Sequence, residues 1–348
     1  MPGGRFYHYG TSREMISSTL DVQNLVTDQR EIMLRKAKPH PAMFVQNAQI
    51  DIKLTPDNAN LWIENSHVGK DWKLASHHII TGIPQNGWSL QLPKGVCVDV
   101  VPVGENQYAV RPYGFNDKFK GKLADPATFY LGIPFSEWAS QRGIDVETLQ
   151  YAGAEDIQSA RIFALTDDVE KMGKIMQFMI RGDNEEGKRL WQEAPKYSAD
   201  EISSYADLRR LTRQRDAFRK QNWTDLAQNY RQSVFYQLNL DEAAHVFAEE
   251  HIDMPAPLPE QANRMKRISD YMFRSRVAAL CGDEMAAKTH ENKAFALMRE
   301  GLTSTISHQQ SPHLSVYADQ IVWGRSPVRI DVAGGWTDTP PYSLMEGG

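Results

Sequence analysis

The feature that most restricts how this chain folds is a stretch of short apolar strings, residues 44–103, which has no long helical period. Asn, Asp, Gly and Pro separate the strings, as in an all-β region. Val68, Leu74 and Ile80 recur every six residues, and residues 63–69 carry the apolar-then-glycine step of hexapeptide coils. The pattern predicts a short left-handed β-solenoid-like region; a short meander with accidental spacing is the alternative.

Helical patterns flank this region. Before it, Thr11 and Glu14 form a capping-box pattern that opens a helix extending to residue 36. After it, residues 104–135 are rich in Gly, Pro and aromatic residues and predict irregular loops or an extended arm. The helices predicted beyond are 135–142, 146–150, 169–181, a stretch opened by a capping box at Ser198, 224–238, 240–250, 260–280 and 284–303, with a stiff proline-rich linker at 253–259. Strands are predicted at 314–318 and 328–332.

Charge and cysteine content exclude several classes of protein. The net charge of -5 comes from 39 basic and 44 acidic residues and gives no field that captures nucleic acid or an anionic membrane. Cys97 and Cys281 have no paired spacing, so no disulfide framework or thiolate zinc site is expected, and a cytoplasmic location is the simplest. No carboxylate or cysteine stands at ligand spacing from His8, His77 or His78, so we predict no metal site.

The most informative segment is residues 326–342, which reads SPVRIDVAGGWTDTPPY. Its predicted strand delivers Arg329 and Asp331, and the two glycines that follow, Gly334 and Gly335, let the backbone approach a hydroxylated ring without a Cβ in the way. A tight turn between two strands is the purely structural alternative.

This segment resembles the first conserved motif of the GHMP superfamily of small-molecule kinases, and its AGGWTDTPP form is similar to the fucokinase branch, with heptose kinases as near relatives. The resemblance implies that Arg329 is catalytic, its charge stabilising the phosphoryl group in transit. It also implies that five residues bind the sugar: Asp331, Gly334, Gly335, Trp336 and Asp338. The Trp336 indole offers a flat apolar face, and Asp338 offers two acceptors.

The N-terminal segment, residues 6–14, is similar to the part of fucose-1-phosphate guanylyltransferases that follows the nucleotide-binding core. Under that resemblance His8, Thr11 and Ser12 face a sugar phosphate. A structural histidine and a helix cap are the alternative that the local pattern favours. Residues 83–88 and the helical middle are also similar to the central part of the bifunctional L-fucokinase/GDP-fucose pyrophosphorylase family.

The resemblance implies a mixed α and β, multidomain chain. Residues 1–40 would be the tail of a guanylyltransferase domain, 41–135 the solenoid-like region with loops, 136–310 a helical connector, and 311–348 the first strands of an incomplete α+β GHMP kinase domain. The family uses ATP, GTP and Mg²⁺ to convert L-fucose through L-fucose 1-phosphate into GDP-L-fucose.

No phosphate-gripping glycine loop of the form G-x-G-x-x-G or G-x-x-x-x-G-K-[ST] occurs in the chain. We therefore expect an internal piece of such an enzyme that is inactive alone and binds no cofactor itself. Two alternatives remain open: a non-catalytic scaffold that self-associates, with a homo-oligomer as its product, and a piece of a heptose-type or other GHMP sugar kinase.

Overall fold

The structure is a computed structural model that describes residues 6–25, 40–150, 153, 155–231, 233, 235–304 and 321. The chain divides into two compact units, Met1–Asn222, here called the sheet unit, and Trp223–Gly348, here called the helical unit. The four domain ranges expected from the sequence stay predictions. The strands predicted at 314–318 and 328–332 lie outside the described residues.

The described residues form thirteen strands and nine α-helices. The strands are β1 Met43–Gln46, β2 Gln49–Ile50, β3 Leu61–Glu64, β4 His67–Val68, β5 Lys73–Leu74, β6 His78–Thr81, β7 Gln91–Leu92, β8 Val96–Val103, β9 Gln107–Gly114, β10 Phe129–Tyr130, β11 Ile133–Pro134, β12 Phe163–Thr166 and β13 Lys196–Tyr197. The helices are α1 Ser12–Leu25, α2 Phe135–Arg142, α3 Val169–Arg181, α4 Glu185–Glu193, α5 Ala199–Tyr205, α6 Leu208–Gln228, α7 Leu240–Glu249, α8 Arg264–Leu280 and α9 Glu284–Ser304.

The solenoid prediction is confirmed by parallel pairing between successive coils. On one side of the solenoid β1, β3, β6 and β8 pair in parallel, and β2 with β4 and β5 with β7 form two further parallel pairs. Met43 pairs with Leu61 and Ile80 with Val98, so these two coils take 18 residues each, whereas Leu61 pairs with His78 and the coil between them takes 17. Three sides of about six residues make up each coil, and parallel pairing excludes the meander.

Left-handed residues mark the corners of the coils. Asn47, Asn65 and Gly82 stand at equivalent corners and have φ of 44°, 49° and 68°. Asn and Gly are the residues that adopt this conformation most readily. At Gly82 a Cβ would lie 2.3 Å from the carbonyl oxygen of Val100, so the coil packing requires glycine there.

A long hairpin closes the solenoid. β8 and β9 pair antiparallel from Val96↔Gly114 to Val103↔Gln107, and β12 and β13 extend the same sheet. The prediction of irregular loops is therefore wrong for residues 107–114. Pairing with the fully buried β8 outweighs the Gly, Pro and aromatic content of this stretch, because strand preference depends on tertiary context.

Helix α1 lies against the outer face of this sheet. The strand registers place five residues in one row across that face: Phe44, Trp62, Ile79, Cys97 and Tyr113. Ile16 of α1, which is 1% exposed, packs with this row. The predicted helix start is confirmed, and the predicted continuation to residue 36 lies outside the described residues.

Helix α3 has the predicted bounds and is fixed by its ends. The Asp168 carboxylate accepts hydrogen bonds from the Glu170 and Lys171 amides at 2.9 and 3.1 Å, and Gly182 ends the helix with φ of 76°. The Trp88 indole donates to the Val169 carbonyl at 2.8 Å and joins α3 to the solenoid.

The remaining helix predictions have mixed outcomes. Helices at 135–142, 240–250 and 284–303 are confirmed, as is the capping box at Ser198, and 146–150 is a 3₁₀ turn, Val146–Leu149. The helix predicted at 224–238 is correct only as far as Gln228, where α6 ends, and a 3₁₀ turn follows at Phe235–Gln237. The helix predicted from residue 260 begins at Arg264.

The proline-rich stretch 253–259 is packed within the helical unit, which corrects its interpretation as a plain linker. The Arg274 guanidinium donates to the Pro255 carbonyl at 2.6 Å and pairs with Asp270 at 3.0 Å. Asp270 also accepts from the Tyr236 hydroxyl at 2.8 Å. This buried network ties the stretch to α8.

Candidate functional site

A cleft of about 450 Å³ opens in the sheet unit where α1 begins. Three parts of the chain line it: residues 10–13 at the start of α1, residues 111–114 at the end of β9, and the loop 115–119, with Phe163 of β12 beside them. Because α1 packs on the outer face of the sheet, its first turn lies next to the end of β9. We call this site the α1 cleft.

Three basic side chains from different elements line the α1 cleft: Arg13, Arg111 and Lys118. Arg13 and Lys118 are exposed, and neither has a carboxylate partner among the described residues. Arg111 stands opposite Asp99 in the β8–β9 register and donates to its carboxylate. The cleft thus presents two free cations and one that is held in place.

The guanidinium of Arg111 is partly buried, with 30% of its side chain exposed. Burial disfavours its charged form, but the neighbouring Asp99 carboxylate outweighs this and raises the pKa of Arg111. Its Nε atom is buried without a hydrogen-bond partner among the described residues. Arg111 therefore stays charged, and its Nε donor is closed off from solvent.

Acceptors and aromatic rings complete the lining. Asp117 accepts a hydrogen bond from the Gly132 amide at 3.2 Å, and burial raises the pKa of its carboxyl group. Burial also raises the pKa of Tyr113, so its phenol stays neutral. Phe119 lies against Phe163 with 5.9 Å between ring centroids. The cleft can hold a ligand that carries an anionic group, hydroxyl groups and an apolar edge.

The residues singled out near the N-terminus have local partners. The Thr11 hydroxyl accepts from the Glu14 amide at 3.3 Å and donates to the Glu14 carboxylate at 2.9 Å, while His8 Nδ1 lies 3.0 Å from the same carboxylate. These bonds, that of Thr11 first, lower the pKa of Glu14. Thr11 therefore caps α1 and His8 contacts the Glu14 side chain of its first turn, whereas Ser12 and Thr11 also line the cleft.

The residues predicted from the C-terminal motif lie outside the described residues: Arg329, Asp331, Gly334, Gly335, Trp336 and Asp338. Their roles stay predictions. Arg111 and Lys118 were not identified from the sequence, because the stretch 104–135 was interpreted as irregular. The alternation of Ala109, Arg111 and Tyr113 along one face of a strand was the signal available.

Other parts of the described chain carry weaker features. A second cavity, about 630 Å³, lies in the helical unit beside residues 227–231 and 254–257, where the one basic residue, Arg231, donates to the Tyr230 hydroxyl. No three His, Cys, Asp or Glu side chains meet as a metal ligand set among the described residues. Within that same part of the chain, no helix is both long and apolar enough to cross a membrane.

Comparison with known proteins gives one domain family and two curated relatives. The fucose pyrophosphorylase domain family matches residues 1–168. An L-fucokinase/L-fucose-1-P guanylyltransferase from Bacteroides fragilis is 55% identical over 350 residues, which cover 100% of this chain and 37% of the relative. A bifunctional fucokinase/GDP-fucose pyrophosphorylase from Arabidopsis thaliana is 23% identical over 303 residues, which cover 77% of this chain and 28% of that relative. No solved structure matches.

Proposed function

We propose that this chain forms part of an enzyme that makes GDP-L-fucose, because its residues 1–168 match the fucose pyrophosphorylase domain family and it is 55% identical along its whole length to the bacterial relative. In this proposal, one activity phosphorylates the anomeric hydroxyl of L-fucose with ATP. The other joins L-fucose 1-phosphate to GMP from GTP and releases pyrophosphate. The similarity to the bacterial relative along the whole chain is the observation that carries this proposal.

We assign different parts of the chain to the two activities. The α1 cleft lies within the pyrophosphorylase domain and contributes to the transferase. The motif at 326–342 contributes Arg329 to phosphoryl transfer and holds the sugar with Trp336 and Asp338. Because the chain spans about a third of the length of these relatives, we propose that it turns over neither substrate alone.

Mg²⁺ accompanies the nucleotides in such enzymes. The α1 cleft does not fit this cation, because Asp117, the one carboxylate among its described lining residues, already accepts the Gly132 amide and lies among basic side chains. No step at this cleft is assigned to the metal. The free thiols of Cys97 and Cys281 support a reducing compartment, and we propose the cytoplasm.

A chimera tests the proposal. The 350 aligned residues of the Bacteroides fragilis relative are replaced by this chain, and GDP-fucose is measured from L-fucose, ATP and GTP. We expect activity within about tenfold of the relative's own. A chimera that folds, by gel filtration and circular dichroism, but performs neither reaction would contradict the proposal.

The matched variant is Arg329→Met in the chimera. We expect it to stop GDP-fucose formation from L-fucose while formation from L-fucose 1-phosphate continues, because Arg329 is assigned to the kinase step alone. Heptoses offered beside L-fucose test the competing assignment. A folded chimera that phosphorylates a heptose in preference to L-fucose would refute ours.

A further inference from the structure

We propose that the α1 cleft binds L-fucose 1-phosphate, with the phosphate held by Arg13, Arg111 and Lys118 and the deoxy edge of the sugar against Phe119. This proposal rests on the proposed function and adds where the chain holds one substrate. The cleft volume of about 450 Å³ falls within the range of ~300–1,000 Å³ that is typical of small-molecule sites.

The phosphate assignment follows from the distribution of charge. Arg13 and Lys118 have no carboxylate partner among the described residues, although two free cations on neighbouring elements repel each other without an anion between them. Arg111 is fixed by Asp99 and has an unused buried donor at Nε. A phosphate dianion gives Arg13 and Lys118 the acceptor they lack, and the charged Arg111 side chain in the cleft wall favours the same anion.

The sugar assignment follows from the rest of the lining. Phe119 is half-buried and packs on the buried Phe163, so the ring of Phe119 presents an apolar surface next to the basic groups. A 6-deoxyhexose has a methyl group that suits such a surface. Asn116 and Asp117 supply amide and carboxylate oxygens that accept hydrogen bonds from sugar hydroxyls.

The same lining disfavours a nucleoside triphosphate. Its several negative charges would meet the Asp117 carboxylate in the lining and would exceed the charge of Arg13, Lys118 and the Asp99-paired Arg111. The lining also lacks a glycine-rich loop in which several successive amides cradle phosphates. One phosphate group together with hydroxyl groups fits the balance of donors and acceptors better.

The test is calorimetric titration of the whole 348-residue chain with L-fucose 1-phosphate, L-fucose, inorganic phosphate and GTP. We expect saturable binding of L-fucose 1-phosphate and weaker binding of the other three ligands. Arg13→Glu and Lys118→Glu should each raise Kd by about tenfold or more, because each removes a charge-assisted contact. The control is Lys120→Glu, an equal charge change on an exposed lysine of the same segment that does not line the cleft, with less than about a threefold effect.

The proposed site would be wrong if L-fucose 1-phosphate did not bind, or if inorganic phosphate bound equally tightly. It would also be wrong if Lys120→Glu raised Kd as much as Lys118→Glu does, or if GTP displaced the sugar phosphate and this displacement depended on Arg13 and Lys118. In the chimera, Lys118→Glu should raise KM for L-fucose 1-phosphate and leave KM for GTP unchanged. If the chimera is active and Lys118→Glu changes neither KM value, L-fucose 1-phosphate binds elsewhere. That result would refute the proposed site but not the proposed function.

Discussion

The sheet unit and the helical unit each contain segments outside helices and strands, the coil corners in the first and the proline-rich stretch 253–259 in the second, and the two kinds of segment are held in place differently. In the sheet unit each coil pairs its backbone with the next, and the corners repeat one left-handed conformation at Asn47, Asn65 and Gly82. In the helical unit the buried side chains of Asp270 and Arg274 hold the proline-rich stretch. Order in the first unit therefore depends on backbone conformation, and order in the second depends on paired charges.

The sharpest way to break this comparison is to remove one of the paired charges. Asp270→Ala leaves Arg274 buried, where its side chain is 9% exposed, without its carboxylate. We expect a loss of about 3–5 kcal/mol in the free energy of unfolding of the helical unit. Faster amide hydrogen exchange in α8 of the variant than in the parent chain would measure this loss.

The control is the double variant Asp270→Leu with Arg274→Met, which replaces both charges by apolar side chains. It should cost clearly less than the single change, since no unpaired charge stays buried. Equal losses in the two variants would mean that packing, not charge pairing, holds this unit together.

A corner glycine tests the other side of the comparison. Gly82→Ala should destabilise the solenoid by about 3 kcal/mol, because the left-handed conformation disfavours a Cβ and that atom would also meet the Val100 carbonyl. Gly95→Ala is the matched control, since Gly95 has φ of 83° but open space around it. It should cost about 1–2 kcal/mol. Urea unfolding that gives equal losses would refute the role of close coil packing.

Acid should weaken the sheet unit through a buried histidine. Burial lowers the pKa of His78, whose Nδ1 lies 2.7 Å from the Val96 carbonyl oxygen. The unfolded chain therefore gains a proton below its ordinary pKa of about 6.5 while the folded chain does not, so stability falls as pH falls from that value toward the folded pKa. The slope is at most about 1.4 kcal/mol per pH unit.

Unfolding measured between pH 7 and pH 5 checks this expectation. His78→Leu should flatten the profile, whereas His245→Gln, at a histidine of the helical unit whose side chain is 44% exposed, should leave it unchanged. If His78→Leu shows the same acid loss as the parent chain, the buried imidazole is not its source.

The smallest expected effect concerns a helix cap in the sheet unit. The Ser198 hydroxyl accepts from the Glu201 amide at 3.1 Å, and the Glu201 carboxylate accepts from the Ser198 amide at 2.9 Å. Ser198→Ala should cost about 1 kcal/mol in thermal or urea unfolding. Ser203→Ala, on an exposed position of the same helix, should change stability by less than about 0.5 kcal/mol. Comparable losses would show that the cap contributes little.

The sequence predicted those features whose causes are local. The hexapeptide spacing at Val68, Leu74 and Ile80 placed three successive strands correctly. Helix α3 begins and ends where predicted, with Asp168 and Gly182 as its capping residues. The hairpin at 107–114 was missed because its strand character comes from pairing with β8, which the local sequence of this stretch does not reveal. The packing of 253–259 was missed for a similar reason, since Asp270 and Arg274 lie on a later helix.

The candidate site shows the same limit. Thr11 was recognised as a helix cap from four consecutive residues, but the meeting of Arg13, Arg111 and Lys118 depends on α1 packing across the sheet. About a hundred residues separate Arg13 from Arg111 and Lys118 in the sequence. Charge alone gave no reason to group them, because the chain carries 39 basic residues.

The most direct test of this account is hydrogen exchange of the intact chain with and without L-fucose 1-phosphate. The account predicts slower exchange in residues 10–14 and 111–119 when the sugar phosphate is present, and no change in the helical unit. Protection at residues 227–231 and 254–257, or unchanged exchange around the start of α1, would contradict it.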